Sequence, residues 1–316
     1  MTRIAYFIFS HVNPDQVIRL IDALRSSPGA QVVVHHDYSV DYLDPNLIRP
    51  SKNVHLFPEH ISVSWGTFDQ VEMQLRILKW ANHNLEYDWA INLTGQDYPI
   101  KPLTEIEDFL GTTEYDGFLE ATPVSQLEAE DRKSCERRYF FRYVSLPKHL
   151  DLRRPPSGTE WWFDGLTTAL NGKQNLLQIA PTLRNMPTRI GTRRIKTPFS
   201  EDFQCHKGSS LWSLSRRAVS HLLEFVGNHP HVSRHYARTL IPSESMLQTI
   251  LSNNRTLNLC RDNLRYMRWS PLSAGPDVLS QKDFPDLIAS GKHFARKIDI
   301  THAPMLVDQL DTYIGA

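Results

Sequence analysis

An α/β fold with a mostly parallel central sheet flanked by helices is predicted by two patterns in the amino-acid sequence. Short apolar runs, too brief for helices, recur through the first hundred residues, and between them apolar residues return at helical spacing. Strand, helix, strand, helix, strand in that order implies crossover connections and therefore parallel pairing.

The first run, Ile4 to Phe9, reads as a strand. Val17, Ile18, Ile21 and Leu24 then form the stripe of a helix that Pro28-Gly29 ends. Gln31 to His35 is a second strand, which delivers His36 and Asp37. Thr67 and Gln70 are spaced as a capping box for a second helix, striped by Phe68, Val71, Leu75 and Leu78. Trp89 to Leu93 is a third strand, stopped abruptly by Gly95, Pro99 and Pro102. Asp97 is therefore expected at the carboxyl end of a central strand, where open α/β sheets hold ligands. An ordinary Asx-type turn reads these residues equally well. Thr104 and Glu107 suggest another capping box, for a short helix through Phe109 and Leu110, and Tyr115 to Leu119 reads as a further strand.

Residues 121–200 differ in character. Glu128, Glu130, Asp131, Arg132 and Lys133 cluster their charges, Arg137-Arg138 follow, and a Pro- and Arg-rich passage runs from Arg153 to Pro198. Irregular stretches of that length point to binding loops rather than core. With no repeat and no low-complexity tract, one domain over 1–316 is expected, and 121–200 is its insertion. Regularity returns at Lys207 to Leu214, followed by a helix capped by Ser215 with Val219, Leu222, Leu223 and Val226 inward. Ile241-Pro242-Ser243-Glu244-Ser245 opens another helix, with Glu244 in its first turn, where the dipole favours a carboxylate.

Composition narrows the function. The chain has 316 residues, 41% of them apolar and 22% charged, as in a water-soluble globular protein. Lys plus Arg and Asp plus Glu both number 35, so no global field selects nucleic acid or an anionic membrane as partner. Cys135, Cys205 and Cys260 lie far apart without metal-ligand spacing, which points to a reducing compartment and away from structural zinc. The apolar run after Arg3 is too short to span a membrane and lacks a signal-peptide cleavage pattern.

Five segments, in order, carry a resemblance: Val34-His35-His36-Asp37, Leu93 to Lys101, Lys207-Gly208-Ser209-Ser210-Leu211-Trp212, Pro242-Ser243-Glu244 and Phe294-Ala295-Arg296-Lys297. Together they resemble the family of core-2/I-branching β-1,6-N-acetylglucosaminyltransferases and peptide O-xylosyltransferases. The resemblance runs from Ile4 to about Asp299 and is weakest over 121–200. It implies a GT-A type fold and an inverting transfer of GlcNAc or xylose from a UDP-sugar, with no divalent metal. The absence of any Asp-x-Asp tripeptide agrees with the last point.

The resemblance also implies roles. Glu244 is the base that takes the acceptor proton, in a segment where the family usually has Asp in place of Ser243. Lys297 faces the diphosphate, with Arg296, Arg268 or Arg265 as its partner. Asp37 lies near the uridine, where a carboxylate accepts from ribose hydroxyls or the uracil N–H. Trp65, in Ser64-Trp65-Gly66, lies near the donor or in the core. Asp97 orders the junction of donor and acceptor. Gly208, Ser209 and Trp212 form the acceptor-side wall, although Trp212 reads equally well as core.

The acceptor, a glycan, a lipid-linked sugar or a peptide hydroxyl, is left open, with Glu128, Arg137, Arg138, Tyr139, Trp161 and Trp162 as candidate contacts. A cytoplasmic enzyme of polysaccharide synthesis, peripheral at the inner membrane face, fits the lack of a spanning segment. Two other readings are a nucleotide-binding oxidoreductase and a non-catalytic carbohydrate-binding protein of the same fold. The first turn, Ser10-His11-Val12-Asn13-Pro14, lacks the glycine-rich fingerprint that the oxidoreductase needs.

Overall fold

Alternation in the first strand sets the layers. Ile4, Tyr6 and Ile8 point into one core, and Ala5 and Phe7 point into a second on the opposite face of the sheet. A strand buried on both faces is what crossover helices create. The computed structural model describes residues 1–146, 176–180, 188–271, 273 and 275–316.

The amino-terminal part runs β1 (Ile4–Ser10), α1 (Pro14–Leu24), β2 (Ala30–His36), β3 (Val54–Leu56), α2 (Asp69–Asn84), β4 (Trp89–Thr94), β5 (Tyr98–Pro99) and α3 (Leu103–Thr112). The middle adds β6 (Gly117–Leu119), β7 (Thr122–Pro123), α4 (Ala129–Tyr139), β8 (Phe141–Ser145), β9 (Leu177–Ala180), β10 (Arg189–Arg193), β11 (His206–Lys207) and β12 (Trp212–Ser215). After these come α5 (Arg216–Asn228), α6 (Pro230–Tyr236), α7 (Met246–Ser252), β13 (Leu259–Cys260), β14 (Arg265–Met267), α8 (Phe284–Ala289), β15 (Phe294–Arg296) and α9 (Pro304–Ile314).

The main sheet has the order β13-β6-β12-β4-β1-β2-β3. β1 pairs in parallel with both β2 and β4, whereas β12 runs antiparallel between β4 and β6. The predicted α/β class holds, and the crossovers place a topological switch at the carboxyl ends of β1 and β4. A small sheet, β14-β15-β5, lies over that edge. Among the described residues no helix is long and apolar enough to cross a membrane.

Local expectations fail where tertiary contacts take over. Thr67 and Gln70 form no capping box, because α2 begins at Asp69 and the Gln70 amide oxygen instead accepts from Gly66 N (3.1 Å) and Ser243 Oγ (3.3 Å). Thr104 and Glu107 form none either. Pro102, with its fixed φ, starts α3 early, and Glu107 is buried against the Ser27 hydroxyl. Ser215 does cap α5, accepting from Ala218 N at 3.2 Å.

The described residues of 121–200 are not all loop. They form α4 and the antiparallel sheet β8-β10-β9, and they bury Tyr139 and Phe141. Trp161 and Trp162 lie outside the described residues.

Candidate active site

The switch point is packed closely around Gly95. A Cβ there would come within 3.1 Å of both Ser10 Cβ and Val17 Cγ2. Buried Gln16, in the first turn of α1, donates to Gly95 O (2.7 Å) and Ile298 O (2.9 Å), and its oxygen accepts from Ile300 N (2.9 Å). One amide thus joins the first helix, the switch turn and the segment after β15.

Asp97 is fully buried at that turn and accepts from Thr94 N at 2.5 Å. Arg296 reaches over from β15, bonding Thr94 Oγ1 and lying 3.5 Å from Asp97 Oδ2. Lys297 is half-buried, with no side-chain partner among the described residues. The alternative cations separate cleanly. Arg268 is committed to Asp283 and to Asp277 (3.2 Å), and Arg265 is buried behind the turn. Arg296 and Lys297 thus differ from both: each is part-exposed and neither is committed to two carboxylates among the described residues.

Asp37, buried at the end of β2, accepts from Ser39 N (3.0 Å), Ser39 Oγ (2.6 Å) and Val63 N (2.8 Å). Burial pushes its pKa up, but these bonds and the nearby His35 outweigh burial and hold it below the usual carboxylate range. Asp37 thereby ties two loops together at the sheet edge. His36 spans Ser10 Oγ (2.9 Å) and Asp41 O (3.0 Å), a packing role. Trp65 is half-buried in the turn before α2, next to Gly66, whose carbonyl accepts from Ile241 N at 3.0 Å.

That bond leads to the other half of the site. Ile241 adopts a left-handed backbone (φ 48°), uncommon for a β-branched residue, and the Pro242–Glu244 3₁₀ turn follows. Glu244 thus ends this turn rather than lying in the first turn of a longer helix. Ser245 breaks the path before α7. Arg138 Nη1 donates to Glu244 Oε2 at 3.0 Å, and Oε1 has no partner among the described residues. The carboxylate is only partly buried.

Gly208 N donates to Glu244 O at 2.8 Å. A Cβ at Gly208 would lie 1.7 Å from Glu120 O, so glycine is required for this approach. Gln248 of α7 donates to Ser209 O and fixes the next residue. Asn92 of β4 completes the frame. Its amide donates to Ser210 O (2.9 Å) and accepts from Trp212 N (3.1 Å), and its carbonyl accepts from Arg265 Nη2 (2.9 Å). The 208–212 segment and β14 are therefore joined to β4 through one residue.

Trp212 is not a wall. It is wholly buried in the second core, with Nε1 donating to Gln74 Oε1 at 3.2 Å, so its ring cannot stack on a sugar. Position 212 is the first residue of β12, where the sheet face turns its side chain inward. Tyr139 is likewise buried, which removes it from the acceptor contacts, while Arg138 serves Glu244.

Glu120, not singled out in the sequence, accepts from Asn263 Nδ2 at 2.8 Å and feels the charges of Asp262 and Glu244. Loss of solvent on its inner side and those two charges raise its pKa, against Lys292 and Lys207. Asn92 and Gln248 were missed as well. Uncharged amides leave no charge pattern to read, and the acid at the end of β6 looked like an ordinary strand-end residue. Among the described residues no three His, Cys, Asp or Glu side chains converge as a metal-holding group.

The fold defines a class: a GT-A-like α/β architecture with a mostly parallel central sheet flanked by helices. A family model described as core-2/I-branching enzyme matches residues 4–162 and 167–288, and the chain belongs to that family. Xylosyltransferase oxt of Drosophila melanogaster is 24% identical over 330 residues, 95% of this chain and 32% of its own length. Human xylosyltransferase 2 is 22% identical over 342 residues, 99% of this chain and 34% of its own. Beta-glucuronosyltransferase GlcAT14C of Arabidopsis thaliana is 22% identical over 230 residues, 72% of this chain and 49% of its own. The chain spans about a third of the xylosyltransferases that it matches.

Proposed function

We propose that this protein is an inverting glycosyltransferase that moves a sugar from a UDP-sugar to an acceptor hydroxyl without a divalent metal. The observation that carries the reading is the pairing across Asn92 of a half-open carboxylate, Glu244, with a cationic edge, Arg296 and Lys297. Arg138 fixes Glu244 through Oε2, and Oε1 takes the proton of the acceptor hydroxyl as that oxygen attacks the anomeric carbon. On the opposite face the departing UDP gains its charge beside Lys297 and Arg296, a stabilisation that fixed cations supply without reorganisation. Holding both sugars in line contributes much of the rest of the rate.

The relatives' names favour UDP-xylose and UDP-glucuronic acid alongside UDP-GlcNAc as donors. The three cysteines are all free, which supports a cytoplasmic location. A thermal-shift screen with UDP, these three UDP-sugars and NAD, each with and without EDTA, tests the reading. UDP should raise the melting temperature, and EDTA should leave that rise intact. A rise with NAD alone would overturn the proposal in favour of an oxidoreductase. Mass spectrometry of donor hydrolysis then ranks the sugars.

A further inference from the structure

Charges that balance over the whole chain do not balance locally. Among the described residues between 141 and 200, Arg142, Arg189, Arg193, Arg194 and Lys196 are basic and none is acidic. They lie on or beside the antiparallel sheet β8-β10-β9, whose two faces are unlike. Phe141 and Tyr143 of β8 turn inward and are buried. Gly191 of β10 stands opposite Tyr143, and a Cβ there would come within 2.5 Å of that ring, so the glycine makes room for it.

Alternation then turns Arg142 and Val144 outward. Val144 stands opposite Ile190, and Arg142 opposite Thr192, which pairs on its other side with Leu177 of β9. Val144, Leu177 and Ile190 are exposed, as are Leu176 just before β9 and Ile195 beyond β10, the last of them completely. The cations divide between the faces as well. Arg193 lies 3.9 Å from Glu136, and Arg194 donates to His235 O at 3.0 Å. Arg142 and Lys196 are exposed and form no ion pair among the described residues. Nor does exposed Arg238, whose carbonyl accepts from Tyr143 N (2.8 Å) along the outer edge of β8.

An outward face of aliphatic side chains flanked by unpaired cations is complementary to a surface that is negative outside and apolar beneath. An anionic bilayer is such a surface, taking the cations at its headgroups and the aliphatic side chains at the acyl boundary. Single-stranded nucleic acid or a sugar ring calls for aromatic rings to stack on, and both aromatic residues of β8 turn inward.

We propose that the outer face of β8-β10-β9 docks on an anionic membrane surface, through Val144, Leu177, Ile190 and Ile195 with Arg142, Lys196 and Arg238 beside them. The sheet is fastened to the part of the molecule that carries Glu244. Tyr143 Oη donates to Arg137 O (2.7 Å) and Arg194 N to Phe140 O (2.9 Å), at the end of the helix whose Arg138 holds that carboxylate. Docking needs neither donor nor acceptor, so it stands or falls apart from the proposed transfer.

Flotation with vesicles of phosphatidylcholine alone, and of an equal mixture with phosphatidylglycerol, tests this on wild type, Arg142→Glu/Lys196→Glu, Ile195→Asp and Met305→Asp, the last an exposed apolar residue on α9. Wild type should float with the mixed vesicles and not with phosphatidylcholine. The charge-reversed double variant should bind the mixed vesicles about tenfold more weakly, and Ile195→Asp about fivefold, while Met305→Asp should match wild type. Ile195 is fully exposed, so its variant serves if the double variant does not fold. No flotation of wild type, equal flotation with both lipids, or full binding by both sheet variants would overturn the proposal. A loss in Met305→Asp equal to theirs would overturn it too, as would binding of polyuridylate in place of vesicles, which would assign the face to nucleic acid.

Discussion

The two halves of the site are built by different means. The donor half grows from neighbouring units of a parallel sheet. β1, α1 and β4 come early in the chain and meet at Gly95, and the β15 segment then lies across them. The base half has no such scaffold. It joins α4, the β7-β11 ribbon, an antiparallel strand and the short turn at Glu244, and single contacts such as Gly208 N to Glu244 O hold it in place. A parallel-sheet edge can position the proposed phosphate site by topology alone, whereas the Glu244 carboxylate depends on close approaches that individual residues permit.

The sharpest way to separate the halves is Glu244→Gln. Transfer should fall by about 10³ while UDP affinity holds, as general-base catalysis and binding are assigned to different halves. Unchanged turnover, measured with whichever donor the screen selects, would remove Glu244 from the chemistry.

Acid should expose a second contrast, in stability. His235 lies under the base half, its Nε2 donating to Tyr139 O at 2.9 Å, and burial followed by the nearby Arg194 lowers its pKa to about 4. His293 lies under the donor half, where burial and then Arg265 lower it to about 3. Each folded pKa is below the ordinary histidine value, so below about pH 6.5 the denatured chain binds protons that the folded chain does not. Stability is present above that pH and should fall by a few kcal/mol, in order of magnitude, as pH drops toward 4. Urea midpoints taken between pH 7.5 and pH 4.5 check this, and a flat profile would refute it.

Gly208→Ala should strike the base half alone. A methyl group against the Glu120 carbonyl is overpacked and should cost roughly 1–3 kcal/mol, with UDP affinity retained. Thermal denaturation with and without UDP reads both effects. The smallest expected change is in the donor half: Lys297→Ala should weaken UDP about tenfold and leave the fold intact, since its amino group supports nothing else among the described residues. Unaltered UDP affinity in a calorimetric titration would refute the diphosphate role.

The same division explains what the sequence disclosed. Ile4 to Phe9, Gln31 to His35 and Trp89 to Leu93 are strands because periodicity and turn residues state it locally, and β1, β2 and β4 extend them by only a residue at an end. The family motifs led to the core-2/I-branching family, which the family model matches. The base half was less legible. Trp212 read equally well as wall or core because a motif gives spacing but not which sheet face turns inward, and the structure decides for the core. Thr67 and Thr104 looked like caps, but Gln70 and Glu107 had distant partners, Ser243 and Ser27, that no local window contains. Asn92 went unnoticed inside an apolar run, although its position on a buried strand was itself a signal: a buried amide there must find partners.

Gln16 has a bearing on how the chain becomes active. Its side chain bonds Ile298 O, 282 residues along the chain, while also holding Gly95 at the switch turn. Contacts so remote in sequence form late, since loop closure must precede them. As the chain leaves the ribosome, the switch turn is laid down early and then waits. The Arg296-Lys297 segment is docked only when residue 298 has emerged and met Gln16, so partly synthesised chains would carry the sheet without the cations proposed to hold a diphosphate.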